Sequence, residues 1–494
     1  MSDTAESKSS AASLQISAKS FITTVIIILC LMIGAGILTY LVPAGSYQHL
    51  VSGGVDKVVP GSFAYHARPD YPVWRWFTAP IEVFWSPGHL QVITIIILLV
   101  LIGGSFTVLD KSSILKVALS MVVARFKNNK YVLMAALILF FMLASSVLGI
   151  YEEAAPLVIF IVPLALFLGW DSLTGLGMSL LALGFGFSAA TMDPFMVTIA
   201  QSLSGLPLFS GLWFRAIFFV TIFILEFLFV RHYAMKVEKN PSCSIVYEED
   251  QKLRERLDMS SFIASDELSS SVKMRKGVRW LGLWCLGAIL FILVATRIPV
   301  IAQSGLAFPL MGFFIFIACN GAALIAGERL SMAAKCFGKG MVSIIPAIVM
   351  ILMAMSVKII ITNGGILDTI LYTASTKIGN AGPYAAIFGV YLITLILEFF
   401  IPSASAKAFL IIPILAPLAD LVGLTRQSMV FAFDCGDGFA NILYPTNPML
   451  MICLGLTVVS YPKWFKWTIP IQLITALVCF AFMTVAVAIK FGPF

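Results

Sequence analysis

Runs of about 20 apolar residues recur along almost the entire chain, and nothing else in the sequence restricts its fold as tightly. A helix needs ~20 residues to cross a bilayer core about 30 Å thick, because each residue adds about 1.5 Å. Runs of that length fall at 21–44, 91–109, 131–150, 172–190, 212–231, 278–298, 307–326, 341–362, 383–401 and 465–490. Of the 494 positions 60% are hydrophobic and 12% charged, about half the charged share of an ordinary soluble domain. Backbone groups inside a bilayer must be satisfied within the chain, so the expected fold is an all-α polytopic membrane protein.

Three shorter apolar runs, 156–169, 409–424 and 427–433, adjoin polar stretches that contain Gly or Pro. Too brief to span comfortably, they suit re-entrant hairpins or broken helices, which are tolerated at membrane depth only inside protein or along a cavity. The stretch "DCGDGFANILYPTNPM" (434–449) carries two aspartates and two prolines. Pro445 and Pro448 bring no N–H to a helical ladder, so it reads as the unwound joint of a broken helix. Such a joint frees carbonyls for a cation and helix N-termini for an anion. Gly436 and Gly438 permit close approach of backbone or ligand, and Thr446 and Asn447 supply neutral groups that donate or accept.

The remaining composition excludes several classes of function. Eight cysteines, mostly within apolar runs and without a CxxC pair, argue against a disulfide framework and a zinc cluster. His49, His66, His89 and His232 all lie outside the spans, which removes a buried histidine metal site. The net charge of +7 matches a membrane protein with Lys and Arg in its cytoplasmic loops and implies the lipid bilayer, not nucleic acid, as partner. No GxxxxGK[ST] phosphate loop is present, so ATP does not drive this chain directly.

Basic residues orient the chain. The segment from Arg231 to Arg279 holds eight further Lys and Arg between acids and serines, and reads as a cytoplasmic linker (232–277) joining a first half (21–231) to a second (278–494). The connections "RFKNNK" (125–130) and "GERLSMAAKCFGKG" (327–340) fall on the same side. The connection 46–90 is sparsely basic and carries Trp74, Trp76 and Trp85, as an external segment on the membrane interface would. The polar tail 1–20 is then cytoplasmic, followed by a retained first span rather than a signal peptide.

An internal repeat sets the architecture. "YEEAAPLVIFIVPLALFLGWDSL" (151–173) aligns with "SAKAFLIIPILAPLADLVGLTRQ" (405–427) at an offset of 254, matching Pro163 with Pro417 and Gly169 with Gly423. "GFGFSAATMDPFM" (184–196) then aligns with "GDGFANILYPTNPM" (436–449) with two residues inserted, and "GLWFRAIFFV" with "YPKWFKWTIP". The charge bias sends residues 131–150 outward and 383–401 inward, so the two copies have inverted topology. Secondary transporters built this way place their sites at the midplane, where broken helices from both halves meet.

The blocks that carry a family resemblance are "YEEA" with its apolar run (151–166), "GWDS" (169–172), "GFSAATMDPF" (186–195), "IAQSLSGLPLFSG" (199–211), "IPILAPLADLVGLTRQ" (412–427) and "GDGFANILYPT" (436–446). They resemble the YfcC group of the DcuC-type anaerobic carriers, in the ion transporter superfamily. The resemblance implies a scaffold domain, a transport domain with two re-entrant hairpins, elevator-type movement and a homodimer. Members of the family are assigned to four-carbon dicarboxylates or to arginine/ornithine exchange. Carboxylate carriers of the superfamily commonly hold a Ser-Asn-Thr triplet at the hairpin tips; here the tips read "YEEAA" and "PSASAK", which counts against a dicarboxylate.

Glu152 and Glu153 stand on the first tip, where a buried carboxylate has to be paired, protonated or bound to a cation, and a tip that reaches water would leave both solvated. Lys407 aligns with Glu153; it would bind a substrate carboxylate, pair across the pseudo-symmetry axis, or snorkel. Asp193 occupies the first joint, where it would bind sodium, take a proton, or cap the half-helix at Pro194. Asp434 and Asp437 share a helical face, so that one would serve a cation and the other cap or bond Asn441. Ser188, Thr191, Ser403, Ser405, Asn441, Thr446 and Asn447 complete the expected substrate set, although short hydroxyls equally serve helix packing. Sodium is expected at Asp193, Asp437 and Asn447. Glu226, Lys358 and Glu398 lie near span ends and are assigned to interfacial anchoring.

The expected function is a secondary active transporter of a small charged organic solute in a bacterial plasma membrane, needing no cofactor beyond a coupling sodium ion or proton. The excess of acids over Lys407 in the candidate stretches suits a basic amino acid such as arginine or ornithine. It also suits a carboxylate accompanied by several cations. A channel is the alternative class, but channels use rings of like groups where this chain has two unlike inverted copies. No constellation for an enzyme is present.

Overall fold

The computed structural model describes residues 18–52, 55–59, 61–86, 89–126, 128–256, 271–295, 306–378 and 382–492. The expected tail therefore lies outside the described residues up to residue 17, as does part of the linker. Among the described residues eight helices are long and apolar enough to cross a bilayer: Phe21–Leu41, Val92–Lys111, Lys130–Leu148, Leu212–Lys239, Pro309–Ala326, Leu330–Asn363, Ala404–Leu421 and Tyr461–Ala488. The protein is a multi-pass, essentially all-helical membrane protein.

Two sequence expectations need correction. The short run 409–424 is the end of an 18-residue helix that starts at Ala404, because Lys407 is buried and paired and so does not break the apolar span. Likewise 427–433 belongs to the helix Arg426–Gly438, which continues through both aspartates. The unwound joint begins later, after the 3-10 turn Phe439–Ile442.

The connection 46–90 is not wholly helical. It forms two antiparallel ribbons, Gly45–Ser46 with Ala64–Tyr65 and His49–Ser52 with Val55–Val58. Tyr47 N donates to Asp368 at 3.0 Å and Phe63 stacks on Tyr372 at 4.1 Å, which seats the segment on the helix Leu367–Ile378. The helix Trp74–Glu82 buries Trp76 and Ala79 and exposes Trp74, Phe77 and Ile81, the pattern of an amphipathic helix lying in a membrane interface.

Helices pack mainly within two groups that cut across the two halves of the chain. One comprises Ala18–Leu41, Trp74–Glu82, His89–Lys111, Ile114–Phe126 and, from the second half, Val272–Ala295, Ala307–Ala326, Leu330–Ser343 and Ile345–Asn363. The other joins residues 130–256 to residues 383–488. The groups meet closely where Ile345–Asn363 crosses Pro448–Gly455: a Cβ on Gly455 would lie 2.5 Å from that of Ala347.

Within the second group the two stretches aligned in sequence share local geometry. Gly169 and Gly423 both take left-handed φ, +88° and +72°. Each helix end is closed by the same long-reach bond, Trp170 N to Ala165 O and Leu424 N to Ala419 O, both 2.9 Å. Two residues after each glycine a side chain caps the next helix, Asp171 to Thr174 N at 2.8 Å and Thr425 to Ser428 N at 3.2 Å. Each copy ends in a 28-residue helix, Leu212–Lys239 and Tyr461–Ala488. Among the described residues no neighbour lies within 4 Å of a Cβ built on Gly169 or Gly423, so backbone conformation is what demands glycine there. Gly169→Ala and Gly423→Ala should each cost about 1 kcal/mol, read as a lowered thermal midpoint of the purified protein.

The linker helix Tyr247–Arg256 docks on the second group. Asp250 accepts from Ser172 N at 2.9 Å and from the Ser172 hydroxyl, Arg254 reaches Trp170 O, and Lys463 bonds Glu249 at 2.6 Å. Burial, with Asp171 nearby, pushes the Asp250 carboxyl up to about 7. A carboxyl raised on docking binds its proton more tightly docked than free. Docking is therefore tightest below about pH 4 and weakens as pH rises through about 7. Limited proteolysis of the linker should accelerate over that interval, and in Asp250→Asn it should not.

Candidate functional site

The first hairpin consists of Lys130–Leu148 and Ala155–Phe167, joined by Gly149 at φ +68° and the 3-10 turn Glu152–Ala154. The second consists of Pro383–Glu398 and Ala404–Leu421. Against each lies a broken helix: one run ends at Ser188 and resumes at Val197, the other ends at Ile442 and resumes at Pro448. The two broken helices cross where Gly438 meets Ser188, a Cβ on the glycine falling 2.3 Å from Ser188 Oγ. Gly436 meets the backbone of the second hairpin in the same way, 2.5 Å from Tyr391 O. Both glycines thus serve backbone approach.

Each hairpin holds its own joint. Ser146 Oγ donates to Ala189 O at 2.9 Å and meets Thr191 Oγ1 at 3.0 Å, while Ser146 O accepts from Thr191 N and Met192 N at 3.1 Å. At the corresponding end of the second hairpin, Glu398 accepts from Asn447 Nδ2 at 3.5 Å. Asn447 also donates to Asn441 Oδ1 and caps the resumed helix by accepting from Met449 N at 2.9 Å. Asn441 Nδ2 donates to Asp437 O at 3.4 Å.

Buried charge is concentrated here. Lys407, fully buried, lies against Glu398 and against Asp437, 2.5 Å from its Oδ1. It neither snorkels nor pairs with Glu153. Glu398 is fully buried and belongs to this triad, so its assignment to interfacial anchoring is corrected, and that of Glu226, also fully buried, fails with it. Lys358 is half-buried within Ile345–Asn363. Asp434 pairs with Arg215, a cation from outside the candidate stretches, whose Nη1 also donates to Ala190 O at 3.3 Å. Arg215 thereby ties the first joint to the second broken helix. Its signal in sequence was faint: one arginine three residues into an apolar run, at a place that span-end arginines commonly occupy.

Asp193 sits over the first tip, and a Cβ on Gly149 would come within 2.4 Å of its Oδ1. That oxygen accepts from Phe195 N at 2.7 Å, while Oδ2 has no partner among the described residues. The capping role and a free ligand oxygen therefore coexist in one carboxylate. Tyr151 OH and Thr446 Oγ1 are likewise buried without partners, and Phe187 packs on the Tyr151 ring at 5.1 Å. Tyr151 was not singled out from sequence, where the two acids beside it carried the reading of the tip. Glu152 and Glu153 are half-buried, with Glu153 accepting from Tyr151 N at 3.3 Å. Asp437 lies within electrostatic reach of both Glu152 and Asp193, which brings the acids of the first half and the triad of the second around one centre.

The neutral candidates divide. Ser188 donates to Gly184 O at 2.7 Å and serves the helix crossing, Thr191 serves the Ser146 clamp, and Ser403 caps Ala406 N with Ser405 beside it. Of the three residues expected to hold sodium, Asn447 is engaged by its cap and Asp437 is paired with Lys407 through Oδ1, its Oδ2 lacking a hydrogen-bond partner, while Asp193 has an open oxygen and no ion pair among the described residues. Removing Arg215 alone strands a buried carboxylate. Arg215→Met should destabilise the protein by about 3–5 kcal/mol, and Arg215→Met with Asp434→Leu should recover most of that in thermal unfolding.

Comparison with known proteins adds a sequence relationship spanning the chain. Residues 21–489 match the family model DcuC, described as C4-dicarboxylate anaerobic carrier. A protein of Escherichia coli (strain K12) named "Putative basic amino acid antiporter YfcC" is 30% identical over 477 residues, covering 90% of this chain and 92% of that one. An uncharacterized protein of Haemophilus influenzae is 26% identical over 387 residues, covering 78% and 73%. The crystal structure of the Alcanivorax borkumensis YdaH transporter is similar at TM-score 0.40 and 15% identity, covering 96% of this chain and 99% of that one. Neisseria gonorrhoeae MtrF, titled a member of a class of antimetabolite efflux pumps, is similar at TM-score 0.37 and 17% identity, covering 95% of each chain.

Proposed function

The chain belongs to the DcuC family and is a membrane transporter, not an enzyme; from that premise we propose that it is a secondary active carrier exchanging basic amino acids such as arginine and ornithine. The observation that carries the reading is the charge balance of the site. Both buried cations beside it are already held by acids, Lys407 by Glu398 and Asp437 and Arg215 by Asp434. Neither is free for a substrate carboxylate, whereas Glu152, Glu153 and the open oxygen of Asp193 have no counter-charge among the described ion pairs. A cationic side chain would meet those acids, and the substrate's α-carboxylate the hydroxyls of Tyr151 and Thr446. The name of the Escherichia coli relative points the same way. The family's description favours a four-carbon dicarboxylate instead, in which case Asp193 serves a coupling sodium ion or proton.

The mechanism we propose is elevator-type. The group carrying both hairpins is the transport domain, made of two inverted copies, and the other is the scaffold through which the protein dimerises in a bacterial plasma membrane, its N-terminus cytoplasmic. The ion pairs Arg215–Asp434, Lys407–Asp437, Lys130–Glu238 and Lys463–Glu249 all lie within the transport group. A half-open apolar cleft of about 390 Å³ lies beside the first hairpin where it nears Ile289 of the scaffold, lined by Phe140, Leu143, Val147, Leu148 and Leu157. Such a boundary offers no directional bonds to resist sliding.

Arginine, ornithine and lysine should raise the melting temperature of the purified protein by mass action, and counterflow in proteoliposomes should follow the same ligands. Asp193→Asn and Glu153→Gln should abolish counterflow while leaving membrane insertion intact. Stabilisation by succinate alone, and only with sodium, would reverse the substrate assignment.

A further inference from the structure

The hairpin site does not use every buried acid. Glu226 lies near the middle of Leu212–Lys239, fully buried, and neither carboxylate oxygen has a hydrogen-bond partner among the described residues. Packed along Leu212–Lys239 is the helix Tyr461–Ala488. Ring contacts fix how the two run: Phe229 and Tyr233 meet Trp467 at 5.0 and 5.4 Å, while Phe218 and Phe214 meet Phe482 at 5.0 and 5.5 Å. Rising numbers on one helix meet falling numbers on the other, so Glu226 falls level with the buried pair Ile471 and Thr475.

Thr475 Oγ1 is also buried without a partner, and so is Trp467 Nε1 two turns away. Buried polar groups are nearly always satisfied, so three such groups in neighbouring layers of one seam mark a place that binds something. The first broken helix closes the seam with a π turn, Gly177–Leu181, where a Cβ on Gly177 would stand 2.9 Å from Trp467 and 3.0 Å from Val230. Turns of this kind recur at functional sites.

The charge around the seam selects the ligand. On the packed elements, Lys130 is engaged by Glu238, Lys463 by Glu249 and Arg215 by Asp434, Lys466 lies at the end that carries the linker, and Cys479 lies beyond Thr475. On its own helix, Arg231, His232, Lys236 and Lys239 are exposed at that same end. Among the described residues Glu226 takes part in no ion pair and no hydrogen bond. A lone ionised carboxylate in an apolar interior is far costlier than a neutral one, and a metal cation would need a shell of oxygens where Thr475 offers one.

We propose that Glu226 is a proton-binding site in the seam between the two 28-residue helices, separate from the hairpin site, and that its protonated form donates to Thr475 Oγ1. The carboxylate takes up one proton and no other covalent bond changes. Tyr233 lies two turns further along the same face, about 10 Å along the axis. It donates to Asp171 Oδ2 at 2.7 Å, which also accepts from Ser244 of the linker at 2.7 Å. Glu226, Trp467, Tyr233 and Asp171 thus form a polar line from the interior to the linker end.

Infrared difference spectra between acid and alkaline buffer, on protein in lipid nanodiscs, test this without substrate, so success or failure is independent of the transport reading. The wild type should show a protonated-carboxyl C=O band that Glu226→Gln lacks and Glu226→Asp retains. Thr475→Val should shift that band to higher frequency by removing its hydrogen bond. Identical carboxyl bands in wild type and Glu226→Gln would overturn the site. Should Glu226→Gln fail to fold, an unshifted band in Thr475→Val would overturn it instead.

Discussion

The interaction on which the rest of this structure depends is the buried triad of Lys407 with Glu398 and Asp437. An unpaired charge at that depth would cost several kcal/mol, and pairing is what allows three polar residues to stand on three apolar helices. The triad joins the end of the first arm of the second hairpin, the start of its second arm and the following broken helix. Asn447 extends it to the resumed half-helix through Glu398. Loss of the ammonium would leave two carboxylates facing each other, so the tip and the joint depend on one lysine.

The first copy solves the same mechanical problem without charge. Its clamp is Ser146, which bonds the joint through both hydroxyl and carbonyl. Asp193 caps with one oxygen and keeps the other without a partner among the described residues. The proposed site takes its direction from this asymmetry: Glu398, Lys407 and Asp437 pair with one another, whereas Asp193 and the tip glutamates enter none of the described ion pairs. Arg215 couples the two, neutralising Asp434 of the second copy while touching the joint of the first.

The periodicity of apolar runs made most spans legible, since crossing length is a one-dimensional property. The hairpin helices were harder. "SASAK" reads as a polar break, yet Lys407 sits inside a helix because its partners, Glu398 nine residues before and Asp437 thirty residues after, arrive through folding. Glu226 and Glu398 were placed at the interface because a lone acid in an apolar run is cheapest near water. Burial reversed both placements. The joints were legible from their prolines, but not their clamps, because serine within an apolar helix gives no sign of what it bonds.

The sequence by itself determined that the chain crosses a membrane many times, that 151–173 aligns with 405–427, and that apolar runs are interrupted by proline and glycine in both halves. These follow from length, composition and local backbone limits, each readable along the chain. Tertiary structure alone decided which charges are spent and which are available, because a buried charge is defined by its partner and the partners here come from distant elements. It also decided that the helices sort into two packing groups that cut across the halves, since the apolar faces of spans look alike in sequence and only packing selects their neighbours.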